Sequence, residues 1–594
     1  MLNTNTSYIG IAKQNLSSEA AKNVAMWLTE PKYAEYRSEL VAMFEARKWQ
    51  ELEDAFFKVI EFGTGGRRGV VGVGSNRINR VTIGESTQAL CEYTVTQDAS
   101  AKEKGIVIAC DTRLSSEELS RYVACVAAAN GFKTYIFDSF RSTPELSFAV
   151  RYLGCSVGVV ITASHNAPQY NGFKAYWSDG AQLVPPHDKG VLDVAETVTH
   201  INTIESYSAA ISTGKIIEIG AEVDEAYVAA VLNESMGSDR DLSVAYSPLH
   251  GAGQRNTLPV LTRAGFNVVT VKEQMIPDGN FSTMEDGRAN PEKKPANDQV
   301  VALMLAESAD IAVSNDPDAD RLGVMVRHNG RPMYLTGNQT AVLVTDYVLQ
   351  VMAKKDELTD KHYIAKTIVT TDLLDAIAET YQVECVGNLH VGFKWICEVI
   401  SKREQSGGIF VTGSEESFGL MKGSYTRDKD GAVSLLIAEY AAALKKQGKT
   451  LYDRLFELFE QYGMYAEVLS TMTCEGSQGF ADMQKIMASL RTEPMERVGS
   501  YVATAITDYK TLLRTDLLTG KATPVDCIKS DVYVMEFGDS RRRITIRPSG
   551  TEPILKFYIQ WYDEAARTEE DYDILVQDLE GVIRTLEGML LQRL

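Results

Sequence analysis

Cysteine is scarce and unpaired in this 594-residue chain. The eight cysteines stand at positions 91, 110, 125, 155, 385, 397, 474 and 527, with no C-x-x-C among them. That excludes a disulfide framework and fits reduced thiols in a cytosolic protein. Long apolar runs are missing too. No stretch approaches the length of a membrane span, and the opening MLNTNTSYIGIAKQN has no apolar signal core. A cytoplasmic protein with no membrane partner is therefore expected. Basic charge is also in short supply: 60 Lys and Arg face 80 Asp and Glu, a formal net charge of -20. That balance argues against nucleic acid or an anionic membrane as the main partner. A small anionic substrate would need a local basic pocket. Low-complexity linkers are absent as well, so composition leaves the domain joints unmarked.

What is present reads as ordinary globular protein, 44% hydrophobic and 24% charged. The length exceeds one core and suits roughly three to five domains. Residues 1–55 read as helical, with apolar residues at helical spacing over 20–29 and 35–44. From about residue 56 short apolar strands alternate with amphipathic helices, the mark of βαβ units. A strand at 105–110 precedes a helix near 116–129 and a strand at 133–137. The texture restarts with strands at 242–246, 267–271 and 311–313, and again at 363–369 and 408–411. The final segment differs: strands at 532–537, 543–547 and 555–560 and a closing helix near 568–592 read as antiparallel α+β. The expected fold class is α/β, with three tandem α/β domains and a smaller C-terminal α+β domain. The expected boundaries are a helical extension over 1–55, then 56–237, 238–345, 346–465 and 466–594.

Two segments carry most of the chemistry. Thr162-Ala163-Ser164-His165-Asn166-Ala167-Pro168 follows a buried strand and runs on to Tyr170-Asn171-Gly172-Phe173-Lys174. Ser164 thus sits where α/β enzymes place reactive groups, with His165 and Lys174 near to assist. A turn serine is the bland alternative. A Ser-His-Asp hydrolase is the rival, but no G-x-S-x-G elbow surrounds Ser164. The second segment is Asp316-Pro317-Asp318-Ala319-Asp320-Arg321. Pro317 opposes regular helix, and alternate spacing lets three carboxylates converge on one hard divalent cation. A solvated acidic turn competes with that reading.

Three more segments suit a sugar phosphate. Arg547-Pro548-Ser549-Gly550-Thr551-Glu552-Pro553 follows a strand and offers a guanidinium, hydroxyls and backbone N–H groups to a phosphate dianion. The preceding arginines 541–543 read as a solvated strand end. Gly413-Ser414-Glu415-Glu416-Ser417-Phe418-Gly419 reads as a loop after strand 409–411, able to bond sugar hydroxyls; a helix-capping segment would look similar. Phe62-Gly63-Thr64-Gly65-Gly66-Arg67-Arg68-Gly69-Val70-Val71-Gly72 is glycine-rich and dibasic, fit to wrap a phosphate. It matches neither nucleotide-binding glycine pattern.

Together these segments resemble the α-D-phosphohexomutase superfamily over about residues 60–560. T-A-S-H-N is similar to its phosphoserine loop, D-P-D-A-D-R to its metal loop, G-S-E-E-S-F-G to its sugar loop and R-P-S-G-T-E-P to its phosphate loop. Tyr246-Ser247-Pro248-Leu249-His250-Gly251 and Asp428-Lys429-Asp430-Gly431 are also similar to family segments. The resemblance implies four domains around a central cleft, with mixed sheets in the first three. It implies a catalytic set of Ser164, Arg68, Lys174, Arg321 and His165. Mg²⁺, one per chain, would be held by Asp316, Asp318, Asp320 and Ser164. Glu415, Ser417, Gly392 and Lys394 would face the sugar, and Arg547, Ser549, Gly550 and Thr551 the phosphate. Phospho-Ser164 would exchange its group with a hexose monophosphate through glucose 1,6-bisphosphate. The E-E-S-F-G form resembles the phosphoglucomutase branch, so glucose 1-phosphate and glucose 6-phosphate are the implied pair. Phosphopentomutase, phosphomannomutase and bisphosphate synthase are the alternatives within the superfamily, and a non-catalytic sugar-phosphate binder stands outside it. A monomer or homodimer is expected. Two departures stand out: Ala167 where the family has proline, and Val391 where it has threonine in T-G-[FW]-K.

Overall fold

A computed structural model of the chain describes residues 2–60, 66–474, 479–549 and 554–594, with side chains from residue 7 onward. The chain opens with α-helices Leu2–Asn15, Ser18–Thr29, Arg37–Glu45 and Trp49–Phe56. Ser17 caps the second of these by accepting the Ala20 N–H. Trp27, Leu28, Phe44 and Phe56 share a core that continues into Val73 and Val81 beyond the helices. The extension is thereby bonded to the first α/β unit by burial of its apolar faces.

The first sheet has the order Arg67–Val70, Tyr170–Trp177, Val157–Ile161, Ile106–Cys110, Thr134–Phe137 and Ile216–Ile219. Only Tyr170–Trp177 runs against its neighbours. Val157–Ile161 and Ile106–Cys110 are buried at every position, as parallel strands covered on both faces must be. The second sheet has the order Arg331–Leu335, Gly323–His328, Ile311–Ser314, Ser243–Ser247 and Asn267–Thr270, with Gly323–His328 reversed. The third runs Glu384–Leu389, His362–Thr367, Ile409–Glu415 and Gly419–Lys422, the last antiparallel. The second and third units share one core, joined through Val313, Leu343, Val348, Leu436 and Ile437.

The C-terminal unit has more strands than the three read from the sequence. Its seven-stranded antiparallel sheet has the order Met464–Thr473, Ile554–Asp563, Asp539–Pro548, Tyr533–Phe537, Ala505–Asp508, Leu513–Asp516 and Ala522–Pro524. Met464–Thr473 pairs along its whole length with Ile554–Asp563. That partner lies about a hundred residues away, so only the cross-strand ladder makes the segment a strand. Helices Gly479–Thr492 and Glu569–Leu591 cover this sheet through Ile486, Leu490, Leu579 and Leu586.

The arginine run 541–543 also differs from expectation. Arg543 is no solvated strand end. It forms a bidentate pair with Asp372 of the third unit, one bond at 2.9 Å, and Asp372 also pairs with Lys366. Gln560 adds a bond to the Thr370 carbonyl at 3.0 Å. These contacts and an apolar seam of Ile368, Val369, Val391, Tyr509, Val534 and Tyr558 join the fourth unit to the third.

Candidate active site

Ser164 leaves the strand Val157–Ile161 in a left-handed backbone conformation, φ 53°. Such a φ is uncommon for a side-chain-bearing residue and needs support from its surroundings. Thr162 Oγ1 accepts the Ser164 N–H at 2.8 Å and donates to Asp111 Oδ2 at 2.6 Å. Arg113, buried and paired with Asp111 at 3.1 Å, donates to the carbonyls of Ser164, Asn166, Ala167 and Tyr170. One guanidinium thus holds the loop by four of its carbonyls. The Tyr170 N–H closes the turn on the Ala167 carbonyl at 3.0 Å, so the loop holds its shape with alanine in place of proline. Gly172 permits the close approach beneath: a Cβ there would stand 2.5 Å from the Arg67 carbonyl and 2.7 Å from that of Thr162.

The loop of the second sheet meets this serine. Ser164 Oγ donates to Asp316 Oδ2 at 2.6 Å and lies 3.2 Å from His165 Nδ1. Asp316, Asp318 and Asp320 bring one oxygen each within 4.8 Å of one another, all buried. Lys174 Nζ donates to Asp318 at 2.8 Å and Asp320 at 3.2 Å; Lys429 Nζ donates to Asp320 at 2.8 Å. Thr143 binds Asp318 twice, through its hydroxyl at 2.8 Å and its N–H at 2.9 Å. Asp318 Oδ1 and Asp320 Oδ1 remain buried with no hydrogen-bond partner among the described residues. Orphaned carboxylate oxygens beside a serine hydroxyl are the donor set a hard divalent cation takes. Gly431 backs the loop, since a Cβ there would stand 2.1 Å from Asn315 Nδ2 and 2.9 Å from the Ala319 carbonyl.

The electrostatics separate the three carboxyls. Burial pushes each upward. At Asp318, Lys174 and Lys429 outweigh it and hold the group well below the usual carboxylate range. At Asp320, burial and Asp318 push up, and Lys429, Lys174 and Arg321 bring the group below its ordinary value. Asp316 has only Arg321 and the Ser164 hydroxyl on its side, and burial with its two neighbours holds it well above. Lys174 loses to burial but gains more from Asp318 and Asp320, so it stays a firm cation. Burial, then Arg321, Arg68 and Lys556, drive His165 well below its ordinary value; the ring is neutral.

Arg321 donates its N–H to Asp316 Oδ1 at 3.0 Å and pairs with Glu292. The two arginines of the glycine-rich segment point different ways, because Arg67–Val70 is a strand and successive side chains alternate. Arg67 turns inward to the Thr82 carbonyl at 2.8 Å; Arg68 faces Asn166 at 3.4 Å and feels the three aspartates. The opening of that segment, residues 61–65, lies outside the described residues.

The sugar-loop segment is no open loop after residue 411. The strand continues to Glu415, returns as Gly419–Lys422, and leaves Glu416, Ser417 and Phe418 as a hairpin tip. Ser417 sits half-buried on that tip. Glu415 is buried beside Lys429, Arg321, Asp428 and Asp320, which brings it to the metal loop. Gly392, at φ 122°, leads into helix Phe393–Glu404. Lys394 turns to the first unit: its Nζ bonds the Leu183 carbonyl at 3.5 Å and pairs with Asp188 at 3.4 Å. Val391 turns into the apolar seam with the fourth unit. Arg547 and Lys556 stand opposite each other on adjacent strands, and the Ser549 N–H bonds the Ile554 carbonyl at 2.8 Å. Gly550 and Thr551 lie outside the described residues.

Sequence reasoning passed over Arg113, Thr143, Lys429 and Glu292. Lys429 lies in the D-K-D-G segment, which carried no role, and Arg113 follows the strand at 105–110 with no motif of its own. Thr143 and Glu292 carry no local signal.

Models of the phosphoglucomutase/phosphomannomutase α/β/α domains I, II and III match residues 59–201, 225–330 and 336–462, more than half the chain. The chain belongs to the phosphoglucomutase/phosphomannomutase family. It is 33% identical over 543 residues to a phosphoglucomutase of Staphylococcus epidermidis, covering 90% of this chain and 95% of that one. A phosphoglucomutase of Staphylococcus aureus MRSA252 is 34% identical over 521 residues, covering 87% and 92%. The fold matches parafusin, a phosphoglucomutase from Paramecium in open form, with TM-score 0.64, 17% identity and coverage of 90% and 98%. It also matches a phosphoglucomutase/phosphomannomutase family protein of Burkholderia thailandensis, TM-score 0.61, 16% identity, covering 89% and 98%. The three family domains correspond to the three mixed sheets, and the antiparallel unit follows them.

Proposed function

We propose that this family member interconverts α-D-glucose 1-phosphate and glucose 6-phosphate through phospho-Ser164 and a glucose 1,6-bisphosphate intermediate. The observation that carries this reading is Ser164 Oγ at 2.6 Å from Asp316 in a buried three-carboxylate cluster contributed by another unit. Phospho-Ser164 gives up its group as the Oγ–P bond breaks and a bond from phosphorus to the free sugar hydroxyl forms. Oγ gains a proton and the hydroxyl loses one; the reversed sugar then returns its other phosphoryl group with the opposite proton balance. His165, neutral and 3.2 Å away, exchanges the proton with Oγ. Lys174 and Arg68 act as cations toward the moving group, and Arg321 lies beside it. A Mg²⁺ held by Asp316, Asp318, Asp320 and the seryl group would supply neutralisation of the phosphoryl oxygens. Glu415 and Ser417, with Gly392 and Lys394, would grip the sugar hydroxyls. Arg547, Ser549, Gly550 and Thr551 would hold the phosphate not being transferred. Lys394 supports this site by fixing the third unit against the first. Its eight unpaired thiols support a cytoplasmic location. Among the described residues no helix is long and apolar enough to cross a membrane. A monomer or homodimer would suffice, since these groups come from one chain.

The test is a mutase assay with Mg²⁺ and trace glucose 1,6-bisphosphate on glucose 1-phosphate, mannose 1-phosphate and ribose 1-phosphate, with Ser164→Ala as control. Glucose far ahead, with turnover lost in the variant, supports the reading. Ribose ahead would move it to phosphopentomutase, and no turnover on any sugar would refute mutase activity.

A further inference from the structure

Arg321 ends the metal loop, and its partner Glu292 has no place in that mechanism. The backbone of Arg321 is fixed on both sides. Its N–H bonds Asp316 Oδ1 at 3.0 Å, and its carbonyl accepts from Asn315 Nδ2 at 2.7 Å. The side chain has a choice of carboxylates. Nη1 pairs with Glu292 Oε1, while Nε stands 3.8 Å from Asp316 Oδ2 and 4.0 Å from Asp320 Oδ1. Arg321 Nε and Asp320 Oδ1 are both buried with no hydrogen-bond partner among the described residues. A hydrogen bond needs a separation of roughly 2.7–3.2 Å, so a shift of about 1 Å would seat the guanidinium on the aspartates. A buried donor and a buried acceptor, each unmade, have every reason to close that gap.

The turn that carries Glu292 opposes the closure, because it is tied to both ends of the metal loop. Asn290 Oδ1 accepts the Glu292 N–H at 3.0 Å, and the Asn290 carbonyl accepts the Lys293 N–H at 3.0 Å. Buried Asn297 donates through Nδ2 to the Pro291 carbonyl at 2.9 Å and accepts through Oδ1 from Ser314 Oγ at 2.6 Å. Ser314 ends the strand that runs into the loop, and Gly323 begins the strand that leaves it. A Cβ on Gly323 would stand 2.6 Å from Ser314 Oγ and 2.9 Å from Pro291 Cβ, so its missing side chain admits the turn. The Glu292 carboxylate is thereby fixed in place relative to the aspartates. Burial works against the Arg321 charge, but Glu292, ahead of Asp316, Asp320 and Glu415, more than restores it. The paired side chains are only 18% and 13% exposed, so salt screens them weakly.

We infer that Glu292 is a positioning residue that draws the Arg321 guanidinium off the aspartate cluster and keeps the oxygens of Asp316 and Asp320 free for a divalent cation. A guanidinium and a metal ion compete for the same carboxylate oxygens, so a released Arg321 would weaken metal binding. The inference rests on the metal-loop reading given above and does not need the sugar assignment.

The test is binding of Mn²⁺ to the full chain with no sugar present, read from the electron paramagnetic resonance signal of the free ion. Intact mass confirms the same state of Ser164 in every variant. Glu292→Gln, which keeps the shape, and Glu292→Ala should raise the Mn²⁺ dissociation constant roughly 10- to 100-fold, as other groups that orient metal ligands do. Glu292→Ala combined with Arg321→Met should bind Mn²⁺ as tightly as Arg321→Met alone, since no guanidinium is left to compete. An unchanged constant in Glu292→Ala would overturn the inference. So would a double variant as weak as Glu292→Ala, because Glu292 would then act through the fold or through its own charge. If Glu292→Ala fails to fold, Glu292→Gln, alone and with Arg321→Met, gives the same comparison. A wild-type chain that binds no Mn²⁺ would remove the metal reading and this inference with it. Binding by the wild type with no effect of Glu292 would remove this inference alone.

Discussion

The serine–aspartate cluster and the segments proposed to hold sugar and phosphate are built on opposite plans. Around Ser164 nearly every polar atom has a partner within the chain: Arg113 holds four carbonyls, Thr162 links the serine to Asp111, and Lys174, Lys429 and Thr143 engage the aspartates. Left over among the described residues are Asp318 Oδ1 and Asp320 Oδ1, with Thr112 Oγ1 and Arg321 Nε. In the third unit His390 Nδ1, Trp395 Nε1 and Glu416 Oε2 lack hydrogen-bond partners among the described residues, and in the fourth Lys556 faces Arg547 as a like charge. The first group is tied within the chain; the second keeps unspent hydrogen-bonding capacity. Chemistry on a transferred phosphoryl group needs fixed charges, and a sugar that must be held in two orientations needs a receptor with unspent hydrogen-bonding capacity.

The contrast can be broken from the rigid side with the largest effect. Asp318→Asn removes a carboxylate from the cluster while keeping its shape. The kcat should fall about 10²–10³-fold, and the Mg²⁺ requirement should shift to higher concentration in a metal titration; an unchanged metal dependence would count against the cluster. Arg113→Met leaves buried Asp111 without its cation and frees the serine loop. About 3–5 kcal/mol of stability should disappear, read by denaturant unfolding, and a variant as stable as wild type would show the staple to be idle. On the other side the effects are smaller. Arg543→Met removes a contact between the third and fourth units, but Lys366 still pairs with Asp372. About 1 kcal/mol and a KM raised several-fold are expected, and a loss of kcat alone would say that the contact serves the chemistry instead.

A pH test sharpens the same contrast. Glu467 lies half-buried near Thr371 where the fourth unit meets the third, and desolvation of its carboxyl pushes it up to about 7. The unfolded chain loses this proton near the ordinary Glu value, about 4.3. Between those values the folded state binds more protons than the unfolded one, so stability falls as pH rises through that window. Glu467→Gln should flatten the fall in Tm between pH 5 and pH 8. An equally steep fall in the variant would remove Glu467 as its source.

Much of the site was legible in the sequence because its residues stand in contiguous strings at strand ends. Ser164, the three aspartates and Glu415, which the structure brings together, are each marked by their neighbours in sequence. Arg113 and Thr143 are not, because their meaning lies in partners 51 and 175 residues away. Strand limits failed for a related reason. Gly413 and Ser414 favour loops, yet antiparallel pairing with Gly419–Lys422 keeps them in the ladder. Lys394 is marked by its motif, whereas its carboxylate neighbour Asp188 comes from a unit whose placement no local string records.

The most direct measurement is to mix the purified protein with limiting glucose 1,6-bisphosphate and Mg²⁺, and follow the intact mass and the peptide containing Ser164. One phosphoryl group should appear on Ser164, leave again on adding glucose 6-phosphate, and never appear on Ser164→Ala. A protein that interconverts glucose phosphates without phosphorylating Ser164, or that carries the group elsewhere, would contradict a phosphoserine mutase built on this cluster.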